Sequence, residues 1–401
     1  MRSSYAGTLL GLVLTVLLAG SATGQSITSI RGLGYPIVPA DARSAALGGL
    51  GIGLMGLNVP MLNPAAAAGI DRRGIVVSAA AVNRRSTLGD VSGSTGATRF
   101  PLMQMVFPVG RVVLTGGYGS FLDQSWSVFR EGSEPVGGAT VAYRDVVQST
   151  GGIGQARIGA AIPVGDRFAL GVALARYTGG QDINIRRVFD TTSVGVLEPY
   201  SEARSFRYGG TAAEVGFRWD PIRALRVAGS VKWSGTLSAD STDGPVPSTE
   251  FELPLQIAGG ASAYLAPGLL AAVSGRWSGW SVTDPAGTLA DPDLQVTSQD
   301  TWELGGGLEL DNPARRALRS YPIRVGFQYR QLPFSFVGDN PREWMASAGV
   351  GMRLGTSIDN PLARVDFTVQ RGARTATGGG GLPDLEETVW RYALTVAIFG
   401  T

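Results

Sequence analysis

Arginines and carboxylates recur at alternate positions through the C-terminal half of the chain, among them Arg276, Glu303, Glu309, Arg324, Arg330, Arg364 and Asp366. Such groups can pair with one another, hold water or seat a charged ligand. Catalysis asks for more. The chain has no histidine and no cysteine, which excludes a Ser-His-Asp triad, a thiol nucleophile, a disulfide framework and the commonest transition-metal ligands. No paired-carboxylate motif or acidic cluster with metal-ligand spacing stands out, so the expectation is a protein that is not an enzyme and takes no metal or cofactor. With 34 basic and 32 acidic residues in 401, the charge is too balanced for nucleic acid to be the main partner. Every basic residue except Lys232 is arginine.

The elements that carry these groups read as strands. In "YPIRVGFQYR", Tyr321, Ile323, Val325, Phe327 and Tyr329 fall on one face, with Arg324, Gln328 and Arg330 on the other. That period of two marks a strand with unlike faces. It recurs in "LRVAGSVKWS", "LARVDFTVQ" and "WRYALTVAIF". Fourteen such segments follow one another, at 74–83, 100–108, 111–122, 151–162, 167–178, 205–219, 223–235, 253–265, 269–281, 301–310, 321–331, 344–354, 361–371 and 388–399. Tight turns near 109, 165, 221 and 267 alternate with long stretches at 84–99, 123–150, 179–204, 236–252 and 282–300, read as loops.

An even number of strands, with short turns at one end and long loops at the other, describes a transmembrane antiparallel β-barrel of about 14 strands. A soluble sandwich or propeller would explain the alternation but not the loop rhythm. Nor would it explain the tryptophans at strand ends, such as Trp233, Trp280, Trp302, Trp344 and Trp390. The apolar stripes would face lipid. Arg276, Arg324, Arg330 and Arg364 would line a polar, wet lumen, either pairing across it or simply bracing the wall. "FPLMQMVFP" and "GIVVSAAAVN" are apolar on both faces, which suits a wall packed against something inside it.

Residues 1–24 have the charged start, apolar centre and small cleavage residues of a secretory signal peptide. That leaves 25–73 ahead of a barrel over 74–401. Fewer than about fifty residues would struggle to build their own core. Glycine, alanine and proline there suit a segment folded into the barrel, with packing partners supplied by the wall.

The run "DARSAALGGLGIGL", followed by "LNPAAAAG" and a fourteen-strand barrel, resembles the FadL/TodX-type outer-membrane transporters of long-chain fatty acids and other hydrophobic compounds. The resemblance implies an N-terminal hatch ending in an Asn-Pro-Ala motif, here Asn63, Pro64 and Ala65. Asn63 would either pin the hatch through an Asx-type turn or touch the ligand; the turn chemistry favours the pin. It also implies passive uptake with sideways release, where the third strand kinks. In this chain that strand, "RVVLTGGYGSFL", carries Gly116, Gly117 and Gly119, which fit a bend or ordinary curvature. Trp126 and Phe129, with Leu332, Phe334 and Phe336, would form a greasy collecting groove on the long loops, or pack loop on loop. The implied setting is the bacterial outer membrane, with its lipid and a hydrophobic small molecule as partners of a monomer. The PorV/PorQ-type barrels share this front end and supply the alternative, a secretion or envelope-assembly component that binds a protein partner.

Overall fold

The computed structural model describes residues 32–58, 61–89, 91–136, 138–190, 198–242, 248–283, 297–311, 319–335, 340–354, 362–378 and 384–400. In chain order the strands are β1 (Tyr35–Pro36), β2 (Gly74–Leu88), β3 (Val91–Val109), β4 (Val112–Asp123), β5 (Trp126–Val136), β6 (Ala139–Val164), β7 (Phe168–Phe189), β8 (Tyr200–Ile222) and β9 (Leu225–Ser241). They continue as β10 (Thr249–Glu252), β11 (Gln256–Ala266), β12 (Leu269–Ser278), β13 (Thr301–Leu310), β14 (Arg319–Ser320), β15 (Ile323–Gln331), β16 (Arg342–Leu354), β17 (Ala363–Ala376) and β18 (Leu385–Phe399). Among the described residues, one α-helix, α1 (Ala42–Ala46), precedes the wall.

All pairings are antiparallel, and β18 pairs with β2 from Phe399↔Gly74 to Leu385↔Leu88, which closes the sheet on itself. β5 prolongs β4 along β6, β11 prolongs β10 along β9, and β15 prolongs β14 along β16. With β1 inside, the wall is a closed barrel of 14 strands. Closure leaves no backbone edge facing lipid. The short turns need left-handed backbone, supplied at Gly165 (φ 72°) and Gly268 (φ 82°).

The two faces divide as the period of two requires. Ile323 and Val325 are 59% and 53% exposed, whereas Arg324 between them is 1% exposed. In a closed barrel the exposed apolar side is the lipid side. Trp233, Trp302, Trp344 and Trp390 stand on it. Trp280 does not. The chain leaves β12 at Ser278, turns through a 3₁₀ segment at Trp280–Val282, and buries the indole beside Phe121 and Phe334.

Much of the sequence expected as loop is strand. β2 and β3 stay paired to Leu88↔Val91, and β5 and β6 to Val136↔Ala139. β7 and β8 stay paired to Arg187↔Tyr200, and β8 and β9 to Phe206↔Ser241. These ribbons extend past the outward apolar band, and there the alternation reverses: Ile183, Phe206, Tyr208, Leu237 and Ala239 are buried in one inner cluster, while Asp182, Asn184 and Arg186 are on the other face.

Residues 33–58 and 61–70 lie inside the wall. α1 rests on β15–β18, and the 3₁₀ turn Pro64–Ala67 rests on β4 and β6–β8. The doubly apolar strands meet this segment: Met61 packs with Val76, Leu102, Ala397 and Phe399, and Ala42 packs with Ala80 and Ala393. Phe399 is out of phase with the exposed Ile398 because it belongs to this inner cluster. The signal peptide expected at 1–24 and the first residues of the hatch lie outside the described residues.

Polar inward side chains serve the hatch backbone rather than a wet lumen. Thr395 Oγ1 accepts from the Ala42 amide at 2.7 Å, and Thr368 Oγ1 donates to the Ala42 carbonyl at 2.6 Å. Gln370 donates to the Ala45 carbonyl and Ser347 to that of Ala46, both at 3.1 Å. A five-residue helix leaves nearly all its end groups unpaired, and buried ones must find partners. Elsewhere the wall has no side chain at all. A Cβ on Gly326 would collide with the Ala46 carbonyl, and one on Gly305 with that of Gly48.

Gly326→Val is therefore expected to unseat the hatch, at an overpacking cost of about 1–3 kcal/mol. Trypsin followed by mass spectrometry should cut the variant after Arg43, which is buried in the native protein. Gly116→Val, where a Cβ meets no atom within 4 Å, should leave Arg43 protected.

Candidate functional site

Asn63 precedes the 3₁₀ turn in an extended conformation (φ −147°, ψ 110°), with Pro64 opening the turn. Its Oδ1 accepts from the Ala65 amide at 2.9 Å. Its Nδ2 donates to the Phe217 carbonyl on β8 at 3.0 Å. Both ends of the amide are thus engaged, one within the hatch and one on the wall. Gly216 and Gly171 face this motif, because a Cβ on either would strike Asn63 or the Ala65 amide. Sequence reading missed both, since a glycine in a strand also signals ordinary curvature.

The three glycines of β4 do different things. Gly116 faces outward into open space. Gly117 lies against the Met103 carbonyl, 2.6 Å from where a Cβ would stand. Gly119 faces the hatch, where Met61 Sδ and Pro39 Cβ would lie 2.6 and 2.8 Å from its Cβ. The β3–β4 ladder runs from Val109↔Val112 to Leu102↔Gly119 and ends there. Beyond it β3 pairs only with β2, while β4 pairs with β1 of the hatch through Pro36↔Leu122 and Tyr35↔Asp123. The Ile37 amide adds a bond to the Phe121 carbonyl at 2.8 Å. Pro101, next on β3, has no N–H to offer. An Arg99–Asp123 ion pair spans the two diverging strands.

Charged side chains fasten the hatch around this junction. Tyr35 donates to Glu343 at 2.9 Å, with the guanidiniums of Arg330 and Arg374 4.6 and 4.3 Å from its ring centre. Arg330 and Arg374 both pair with Glu343, at 2.6 and 2.5 Å. Lower down, Arg43 pairs with Glu309 at 2.7 Å, Arg324 bridges Glu309 and Asp366 at 2.6 Å, and Arg364 bridges Asp366 and Asp41 at 2.6 Å. Arg276 pairs with Glu303 at 2.6 Å. Burial opposes the charge on Asp41, but Arg364 and Ser44 outweigh it and hold the carboxyl below its ordinary pKa. All four expected lumen arginines therefore face inward and are paired. Among the described residues no group of acidic side chains is arranged to hold a metal ion.

The aromatics expected on loops are placed differently. Trp126 is buried on β5, and Phe129 lies on the same strand opposite Val146. Leu332 and Phe334 are buried under the hatch entrance, with Phe334 edge-on to Trp280 at 5.6 Å. Phe334 packs inward because Trp280, Phe121 and Tyr177 offer it an apolar cluster, and Leu332 borders the same Phe121 and Trp280 side chains across a small cavity. Phe336 lies outside the described residues. Two small cavities remain between hatch and wall. One, of about 30 Å³, is bounded by Phe121, Lys232, Trp280 and Leu332; the other, of about 60 Å³, by Tyr35, Arg99, Pro101 and Arg391. Ligand pockets usually enclose roughly 300–1,000 Å³.

No protein-family model and no curated protein matches this sequence. Solved structures do match. A FadL homologue from Pseudomonas aeruginosa is 13% identical with a TM-score of 0.61, over 91% of this chain and 99% of that one. The toluene transporter TbuX of Ralstonia pickettii is 15% identical with a TM-score of 0.57, over 90% and 98%. The toluene transporter TodX of Pseudomonas putida is 13% identical with a TM-score of 0.55, over the same shares. At such identities the likeness speaks for the fold. The chain has the fold of the FadL-type outer-membrane transporters, a closed 14-strand antiparallel barrel.

Proposed function

We propose that this chain is an outer-membrane channel for passive uptake of hydrophobic small molecules, closed by the hatch and released sideways between β3 and β4. It acts as a monomer and performs no chemistry. The observation that carries this reading is the end of the β3–β4 ladder at Leu102↔Gly119, with β1 occupying the inner edge of β4. A wall meant only to be tight would continue that ladder. Here two hatch residues satisfy the freed edge, so a small displacement of β1 leaves an opening that faces lipid. Transfer of apolar surface from water to hydrocarbon supplies the driving force. Solved proteins of this fold include toluene transporters and a monoaromatic hydrocarbon channel.

Vesicles containing the purified barrel should take up a fluorescent fatty acid or toluene faster than empty vesicles. Equal rates for both compounds would refute the channel reading. The chain has no cysteine, so a Pro101→Cys, Ser120→Cys pair can lock the two strands just past their last paired residues. Oxidation of that pair is expected to slow uptake several-fold, and reduction to restore it. Unchanged uptake after verified bridging would remove the sideways route while leaving the channel in place.

A further inference from the structure

Near the short-turn end of the wall, Ile398, Ile75, Met105 and Gly116 stand opposite one another on β18, β2, β3 and β4. The same row continues to Ile158 on β6. Each member is an exposed apolar side chain except the glycine, where a Cβ would meet no atom within 4 Å. Met105 and Ile158 are thus two strand spacings apart, about 10 Å, with no side chain between them. Ile75, Met105, Phe107, Leu114 and Ile398 line an open groove of about 590 Å³ around this gap. That volume falls within the roughly 300–1,000 Å³ usual for ligand sites.

One charge stands at the mouth of the groove. Arg73, the residue before β2, holds its guanidinium 4.3 Å over the Phe107 ring centre. Its carbonyl accepts from the Gly400 amide at 2.8 Å, which ties down the backbone there. Among the described residues no carboxylate pairs with that guanidinium and no oxygen accepts from it. A guanidinium held over a ring keeps the N–H donors of its edge free, and that fork matches two phosphate oxygens. In outer-membrane barrels the short turns face the periplasm, so Arg73 stands at the head-group level of the inner leaflet. We propose that this groove binds a single phospholipid of the periplasm-facing leaflet, with its phosphodiester on Arg73 and one acyl chain laid over Gly116. A phosphodiester carries one negative charge, and one cation is present to meet it. A neutral hydrocarbon would fill the same trough but leave the guanidinium edge unmatched. The site lies on the outer face of the wall and stands whether or not the barrel conducts.

The test offers the full-length barrel in detergent equal amounts of dioleoylphosphatidylglycerol and dioleoylglycerol, which share their tails, and counts the lipids retained by native mass spectrometry. The native protein is expected to keep one phosphatidylglycerol, at least about tenfold more tightly than dioleoylglycerol, as one charge-assisted contact allows. Arg73→Gln should abolish that preference and leave dioleoylglycerol retention unchanged. Gly116→Phe, whose ring would occupy the trough, should lower retention of both lipids several-fold. Leu174→Phe, at an exposed position of β7 on the same lipid face, should change neither. Equal retention of the two lipids by the native protein overturns the inference. So does a preference that survives Arg73→Gln, or a Gly116→Phe variant that behaves like Leu174→Phe. Heat-modified migration on gels verifies folding of each variant, and should one not fold, the native comparison still decides.

Discussion

The structure depends on burying an irregular backbone inside a barrel. The described part of the hatch has one five-residue helix and a single 3₁₀ turn, so most of its amides and carbonyls have no partner within the segment. Leaving such groups unsatisfied in a dry interior costs roughly 1–3 kcal/mol each. The wall supplies the partners from its inward positions: Ser262 donates to Gly53, Ser230 to Leu62, Arg364 to Leu57 and Arg218 to Ala68. Where hatch and wall come closest, the wall is glycine. Polar and glycine positions that look wasteful in a lipid-spanning strand are the docking surface of the plug.

Charge fixes where the plug sits. Glu309 accepts from Arg43 of the hatch and from Arg324 and Arg353 of the wall, at 2.7, 2.6 and 2.9 Å. Desolvation cancels much of what such buried pairs gain, whereas losing one partner strands the other. Their contribution is therefore registry more than net stability. Asp41 and Arg43 define one position of α1 over β15–β18, and Tyr35 defines another over Glu343. Arg84, Lys232 and Arg391 depart from this pairing: Lys232 donates to Gln155 and Arg391 to Gln370, and Arg84 is buried with no described carboxylate within ion-pair distance.

β4 belongs to two structures at once. Up to Gly119 it is an ordinary wall strand between β3 and β6; beyond, its inner edge belongs to the hatch. A bulge on its β6 side between Ser120 and Leu122 accommodates the change of direction. The β1 pairing is only two residues long, and such short segments open at low cost compared with a full ladder.

What the sequence determined by itself was whatever follows from local period and composition. Val325 beside Arg324, repeated along fourteen segments, is enough to give the strands, their faces and the closed barrel. Glycine in the tight turns and the Asn63-Pro64 pair act within a few residues and were legible for the same reason. The ribbons beyond the outward apolar band were not, because there the apolar side chains turn inward onto a cluster that only the closed barrel assembles. Trp280 reads in the sequence as a strand-end tryptophan, and nothing local distinguishes the glycines at 305, 326 and 216 from other strand glycines. Only the tertiary structure decided those, since Tyr35 meets Glu343 and Ala46 meets Gly326 across hundreds of residues of chain. Whether a buried charge has a partner is likewise a property of space, as the paired Arg324 and, among the described residues, the unpaired Arg84 show once the barrel is closed.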